Sequence, residues 1–107
     1  MKNLIETFSA LGDPTRFAIV DRLLKDGDLS AGEIQDGTQI SPPAISRHLK
    51  VLRTAGVINQ RIDKQRRIYS VRPQALEAIS AWTVSHEEFW NVSLDRLSKA
   101  LDELDED

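Results

Sequence analysis

Eight lysines and arginines fall between Ser41 and Arg72, at positions 47, 50, 53, 61, 64, 66, 67 and 72, against one acid, Asp63. Groups of this kind recognise anions: a guanidinium forks onto phosphate or a base edge with two parallel hydrogen bonds, and an ammonium neutralises phosphate as a point charge. This stretch carries +7 in a chain whose total is −3, with −3 before it and −7 after it. Charge so segregated predicts a basic face with acidic flanks, and so a polyanion as partner; a salt-bridged surface is the alternative.

Other chemistry is poorly represented. The chain has no cysteine, which excludes disulfides, thiolate metal sites and thiol redox sensing. Of its two histidines, His86 opens His-Glu-Glu but lacks the second histidine of a zinc-protease motif. His48 sits about 60° from the core axis of its helix and is expected to pack on a flank or touch phosphate rather than act as a switch. No enzyme and no cofactor are expected. No apolar run approaches the roughly 20 residues that span a bilayer. Glu6 and Asp13 interrupt the first stretch, so no membrane partner and a cytoplasmic location are expected.

The elements that position the basic residues can be read in order. Leu4, Ile5, Phe8 and Leu11 recur at helical spacing up to Gly12, predicting a helix over 2–11. Asp13-Pro14 opens a second helix with Phe17, Ile19, Val20, Leu23 and Leu24 as its buried stripe and Gly27 as its stop. Ser30 and Glu33 form a capping box for a short third helix ending near Asp36-Gly37. After a turn, Ser41 caps a helix over 41–55 that starts with Pro42. Ile45, Leu49 and Leu52 set its core side, which turns Pro43, Ser46, Arg47, Lys50 and Thr54 outward. Residues 57–72 then read as a β-hairpin around the turn Asp63-Lys64-Gln65-Arg66, with Ile62, Ile68, Tyr69 and Val71 as its β-type positions.

Short helix, turn, second helix and hairpin is winged helix-turn-helix wiring. The expected fold is mainly α with a small β-hairpin wing and about five helices in one domain over 1–107. An outward arc with hydroxyl, guanidinium and ammonium groups suits base edges and phosphates in a major groove. The wing basics Arg61, Lys64, Arg66 and Arg67 suit a phosphate backbone or minor groove.

Residues 73–104 read as one long helix in which Leu76, Ile79, Thr83, His86, Trp90, Leu94, Leu97, Leu101 and Leu104 recur at threes and fours, a seam for helix packing. Trp82, Phe89 and Trp90 are expected in a core more readily than in a ligand pocket. The acidic end, LDELDED, is expected to be frayed.

The stretches DPTRFAIVDRLL, SPPAISRHLKVLRTAGVI and RRIYSV, in this order between Leu4 and Val71, resemble the ArsR-type winged-helix transcriptional regulators. The resemblance implies a homodimeric repressor on a palindromic operator in double-stranded DNA, dimerising through the first and last helices. It implies base contacts from Ser46 and Arg47 and backbone contacts from the wing. Ser41, Pro43, Ser46, Arg47, Lys50, Arg61, Lys64, Arg66 and Arg67 are thus the candidate DNA residues, and Leu4, Phe8, Leu76, Ile79, His86, Trp90, Leu94, Leu97 and Leu101 the candidate dimer interface.

Two departures from the family pattern bear on DNA: Pro42 and Pro43 replace residues that are often polar, and the wing tip lacks the usual glycine. The family's metal positions fall on Ser30 and Gly32 in one site and on Pro73, Ala75, His86 and Phe89 in the other, so no metal is expected. An effector ligand or partner protein, or autoregulation by concentration alone, is left open. The competing functions are a winged helix that docks an acidic protein, and a sensor of an unrecognised metal or small ligand.

Overall fold

A computed structural model describes residues 2–105; Met1 and the end of the acidic tail, Glu106 and Asp107, lie outside the described residues. The chain forms two compact units, the first ending at Glu77 and the second starting at Ala78.

In the first unit, helices start where a side chain can take up free first-turn N–H groups. Helix α1 (Lys2–Leu11) precedes Gly12. Asp13 accepts the Arg16 N–H at 3.0 Å to open α2 (Pro14–Asp26), which stops at Gly27 with φ 83°. The capping box forms as expected: Ser30 Oγ accepts the Glu33 N–H at 3.2 Å, Glu33 Oε1 accepts the Ser30 N–H at 3.0 Å, and α3 runs Ala31–Asp36. Ser41 Oγ accepts the Ala44 N–H at 3.4 Å at the head of α4 (Pro42–Thr54). At the C-terminal end of α3, Arg22 reaches over from α2 and donates to the Ile34 carbonyl at 3.0 Å. Its guanidinium fills the space a side chain at Gly37 would need, 2.7 Å from where a Cβ would stand.

The sheet has three antiparallel strands in the order β1-β3-β2: β1 Leu29–Ser30, β2 Ile58–Asp63 and β3 Arg66–Val71. The hairpin agrees with expectation, with Asp63 opposite Arg66 at the tip and Ile58 opposite Val71 at the base. Strand β1 was not expected. Two residues carry no readable alternation, and they become a strand only because the free edge of β3 pairs Leu29 with Tyr69 and Ser30 with Ile68.

Ile45, Leu49 and Leu52 of α4 are buried, joined by Ala10, Ile19, Val20, Leu23, Leu29, Ile34, Val57, Ile58 and Tyr69 in one core. Each large side chain so buried contributes about 1.5–3 kcal/mol. Two expected core positions are corrected: Phe17 is 59% exposed and Leu24 is 52% exposed. At 100° per residue they lie about 20° from each other and Leu24 about 100° from Leu23, so they form a second stripe that the core does not reach. In α1, Thr7 and Ala10 are buried while Ile5 and Phe8 are exposed. Thr7 loses nothing by burial, because its hydroxyl donates to the Asn3 carbonyl at 2.8 Å.

The expected single helix over 73–104 is two: α5 (Pro73–Ser85), which crosses the boundary between the units, and α6 (Glu87–Asp105). The seam was continuous in the sequence, but Thr83, Ser85 and His86 compete with the backbone for its carbonyls. Thr83 donates to Ile79 at 2.9 Å, Ser85 donates to Trp82 at 2.8 Å, and the Nδ1–H form of His86 donates to Trp82, also at 2.8 Å. Glu87 and Glu88 then favour a new helix start. The acidic end is helical through Asp105 rather than frayed. No residue of α6 is buried; Phe89 and Trp90 meet edge-on at 5.1 Å outside any core, contrary to expectation.

Candidate nucleic-acid interface

With one side of α4 held in the core, Pro43, Ser46, Arg47, Lys50 and Thr54 are all exposed, as the helical arithmetic requires. Ser41 has its hydroxyl committed to the cap, and neither Pro42 nor Pro43 has an N–H to offer. Hydrogen bonding from this face therefore falls to Ser46, Arg47, Lys50 and Thr54. Among the described residues, no carboxylate pairs with Arg47 or Lys50.

His48, next to Arg47, faces the start of α2 instead. Its Nδ1 accepts from the Arg16 guanidinium at 3.4 Å and lies 3.9 Å from Asp13 Oδ2. Arg16 also donates to the Ala10 carbonyl at 2.7 Å, so one side chain spans the α1–α2 corner and α4. The Arg16 N–H, and then the Arg16 charge beside it, hold the Asp13 carboxyl below its ordinary value despite partial desolvation. The motif DPTR thus braces α4.

On the wing, the pleat sorts the basic residues. Residues directly opposite in an antiparallel pair share a face, so Gln60, Ile62, Arg67 and Tyr69 lie on one side and Arg61, Arg66 and Ile68 on the other. Both arginines of the second set are paired: Arg61 with Asp28 at 3.3 Å and Arg66 with Glu33 at 2.7 Å. Of the four expected wing contacts, these two are tethered to the body of the unit. Lys64 projects from the tip with φ 61°, the left-handed conformation that the missing glycine would have taken without strain.

Arg67 faces a cleft between α4 and the sheet that also takes in Ser46, Lys50, Arg53, Tyr69 and Arg72. Arg53 and Arg72 are absent from the expected site. A signal was present: Ser46, Lys50 and Arg53 stand at i, i+4 and i+7, one row on a helix.

The expected interface residues are found on three helices. Leu4 and Phe8 are on α1, half-buried and exposed respectively; Leu76 and Ile79 are half-buried on α5. Trp90, Leu94, Leu97 and Leu101 are exposed on α6, and His86 is at the break. At the family's metal positions, the Ser30 hydroxyl is used by the capping box and Ala75 is buried. Among the described residues, no three His, Asp or Glu side chains gather as a metal would need, and no helix is long and apolar enough to cross a membrane.

A capped helix-turn-helix whose second helix turns a basic arc outward, followed by a two-stranded wing, defines a winged helix-turn-helix DNA-binding protein. A helix-turn-helix domain family matches residues 11–61. The chain is 38% identical over 95 residues to the HTH-type transcriptional regulator Rv2034 of Mycobacterium tuberculosis, covering 89% of this chain and 85% of that protein. It is 41% identical over 78 residues to the transcriptional repressor SdpR of Bacillus subtilis, covering 73% of this chain and 86% of the repressor. Among solved structures, an ArsR family transcriptional regulator superimposes with a TM-score of 0.74 at 27% identity, over 84% of this chain and 92% of that one. The chain belongs to the ArsR-type winged helix-turn-helix family and is a DNA-binding transcriptional regulator.

Proposed function

We propose that this regulator is a homodimeric repressor that covers a palindromic operator, with each α4 in a major groove. The observation that carries the reading is the exposed arc of Ser46, Arg47 and Lys50, whose cations have no carboxylate partner among the described residues. Arg47 reads base edges, Ser46 and Lys50 add base and phosphate contacts, and Ser41 and Pro43 border the entry of the helix. Lys64 and Arg67 grip the backbone from the wing, while Arg61 and Arg66 do so from within their ion pairs. Repression is supported by the name of the relative SdpR.

The dimer would bury Leu4 and Phe8 of α1 with Leu76, Ile79, His86, Trp90, Leu94, Leu97 and Leu101. The support is a 19-residue helix with an apolar seam and no buried residue. Two recognition helices about 34 Å apart then meet successive major grooves.

Metal control does not fit these residues: Gly32 has no donor, the Ser30 hydroxyl is spent on its cap, and Pro73, Ala75 and Phe89 cannot ligate beside His86. Regulation then falls to another ligand, a partner, or concentration. Fluorescence anisotropy with duplex from the chain's own upstream region tests the reading, and affinity should fall steeply with salt. Failure of every duplex to bind better than micromolar at low salt would sink it.

A further inference from the structure

The cleft between the C-terminal half of α4 and the sheet has a volume of about 600 Å³. Four cations line it: Lys50 and Arg53 from α4, Arg67 from β3 and Arg72 just beyond β3. No acidic residue lines it, and none of the four has a carboxylate partner among the described residues. Elsewhere in the same unit, Arg22, Lys25, Arg61 and Arg66 are all paired with an acid. The contrast is sharpest on the wing, where the pleat sends Arg61 and Arg66 to Asp28 and Glu33 and sends Arg67 into the cleft.

Like charges gathered without counter-charge repel, and a bound anion would relieve that repulsion. Part of the relief is built in. Arg53 is in the last turn of α4, and Arg72 Nη1 stands over the Gly56 turn that follows it, 3.8 Å from where a Cβ would be. Both are therefore near the negative end of the helix dipole. That end carries about half a charge, far short of four cations.

We propose that this cleft is a phosphate-binding site, with Arg53, Arg67 and Arg72 as its anion ligands and Lys50 joining it to the outward arc of α4. Guanidinium forks suit a tetrahedral oxyanion, and the cleft is continuous through Ser46 and Lys50 with the face assigned to DNA. The phosphate is either a backbone phosphate of the bound duplex, which rests on the DNA-binding reading above, or that of a free phosphorylated compound, which does not.

Arg53→Gln and Arg67→Gln test it, because both side chains are exposed and circular dichroism should show unchanged melting. The first arm measures anisotropy of a mixed-sequence 30-base-pair duplex across a salt series. If the duplex supplies the phosphate, each variant should flatten the slope of log affinity against log salt by about 0.9. The second arm titrates inorganic pyrophosphate into the DNA-free protein by calorimetry. Submillimolar binding that both variants abolish assigns the site to a free phosphate compound. The proposal is overturned if both variants keep the wild-type slope and pyrophosphate binding is absent or unaffected by them. If wild type binds no duplex at all, the DNA reading has failed, and the pyrophosphate arm alone decides the cleft.

Discussion

Arg66 Nη2 donates to Glu33 Oε1 across 2.7 Å, tying the second strand of the wing to the carboxylate that closes the capping box of α3. One side chain thus holds a helix start and the wing hairpin together. The Ser30 backbone N–H lowers the Glu33 pKa most, followed by the Ser30 hydroxyl and, against partial desolvation, by Arg66.

A carboxylate whose folded pKa lies below its ordinary value of 4.5 contributes stability that is complete above that value and is lost as pH falls through the folded one. Glu33→Gln should therefore lower the melting temperature at neutral pH. The gap from wild type should close as the buffer is taken below the ordinary glutamate range. Equal gaps at neutral and acidic pH would show that the charge of Glu33 contributes nothing.

Arg47 and Lys64 should separate specificity from affinity. Arg47→Ala should cost about 1–3 kcal/mol on the preferred operator and less on other duplexes, relaxing base preference. Lys64→Ala should weaken all duplexes alike and reduce the salt slope by about 1. Competition anisotropy with operator and mixed-sequence DNA distinguishes the two patterns.

Lys64 also carries a backbone cost, since a non-glycine residue in the left-handed region is disfavoured by about 1–2 kcal/mol. Lys64→Gly removes that cost but frees the unfolded chain, leaving a gain of about 0.5 kcal/mol. Urea unfolding should show a higher midpoint together with weaker DNA binding. A lower midpoint would mean that the tip is not strained.

Leu94 and Leu97 are 62% and 57% exposed on α6, so Leu94→Glu and Leu97→Glu leave the core of the first unit untouched and keep helix-forming residues in place. Sedimentation velocity should show a dimer for wild type and a monomer for the double variant. Operator affinity should fall with it, since each monomer then binds a half-site alone. A dimer that survives both charges places the interface elsewhere.

The first four helices were legible because their signals are local. Asp13, Ser30 and Ser41 each cap within three residues, and Ile45, Leu49 and Leu52 needed only the helical period to turn Ser46, Arg47 and Lys50 outward. The break at His86 was missed because the apolar period crosses it undisturbed, while the cause lies in polar side chains bonding to carbonyls three and four residues back. Phe17 and Leu24 were misjudged because apolar character alone does not say how far round a helix the core extends.

By itself the sequence determined where charge concentrates, which helix carries it outward and which hairpin follows, since each depends on neighbours within a turn or a pleat. Only the tertiary structure decided which cations are free. Arg61 and Arg66 meet acids 33 residues away, and Arg67 does not, although all three lie within seven residues on the same hairpin. The choice is made by which face of the sheet packs toward Asp28 and Glu33 and which opens toward α4, and that is set by the long-range pairing of β3 with β1.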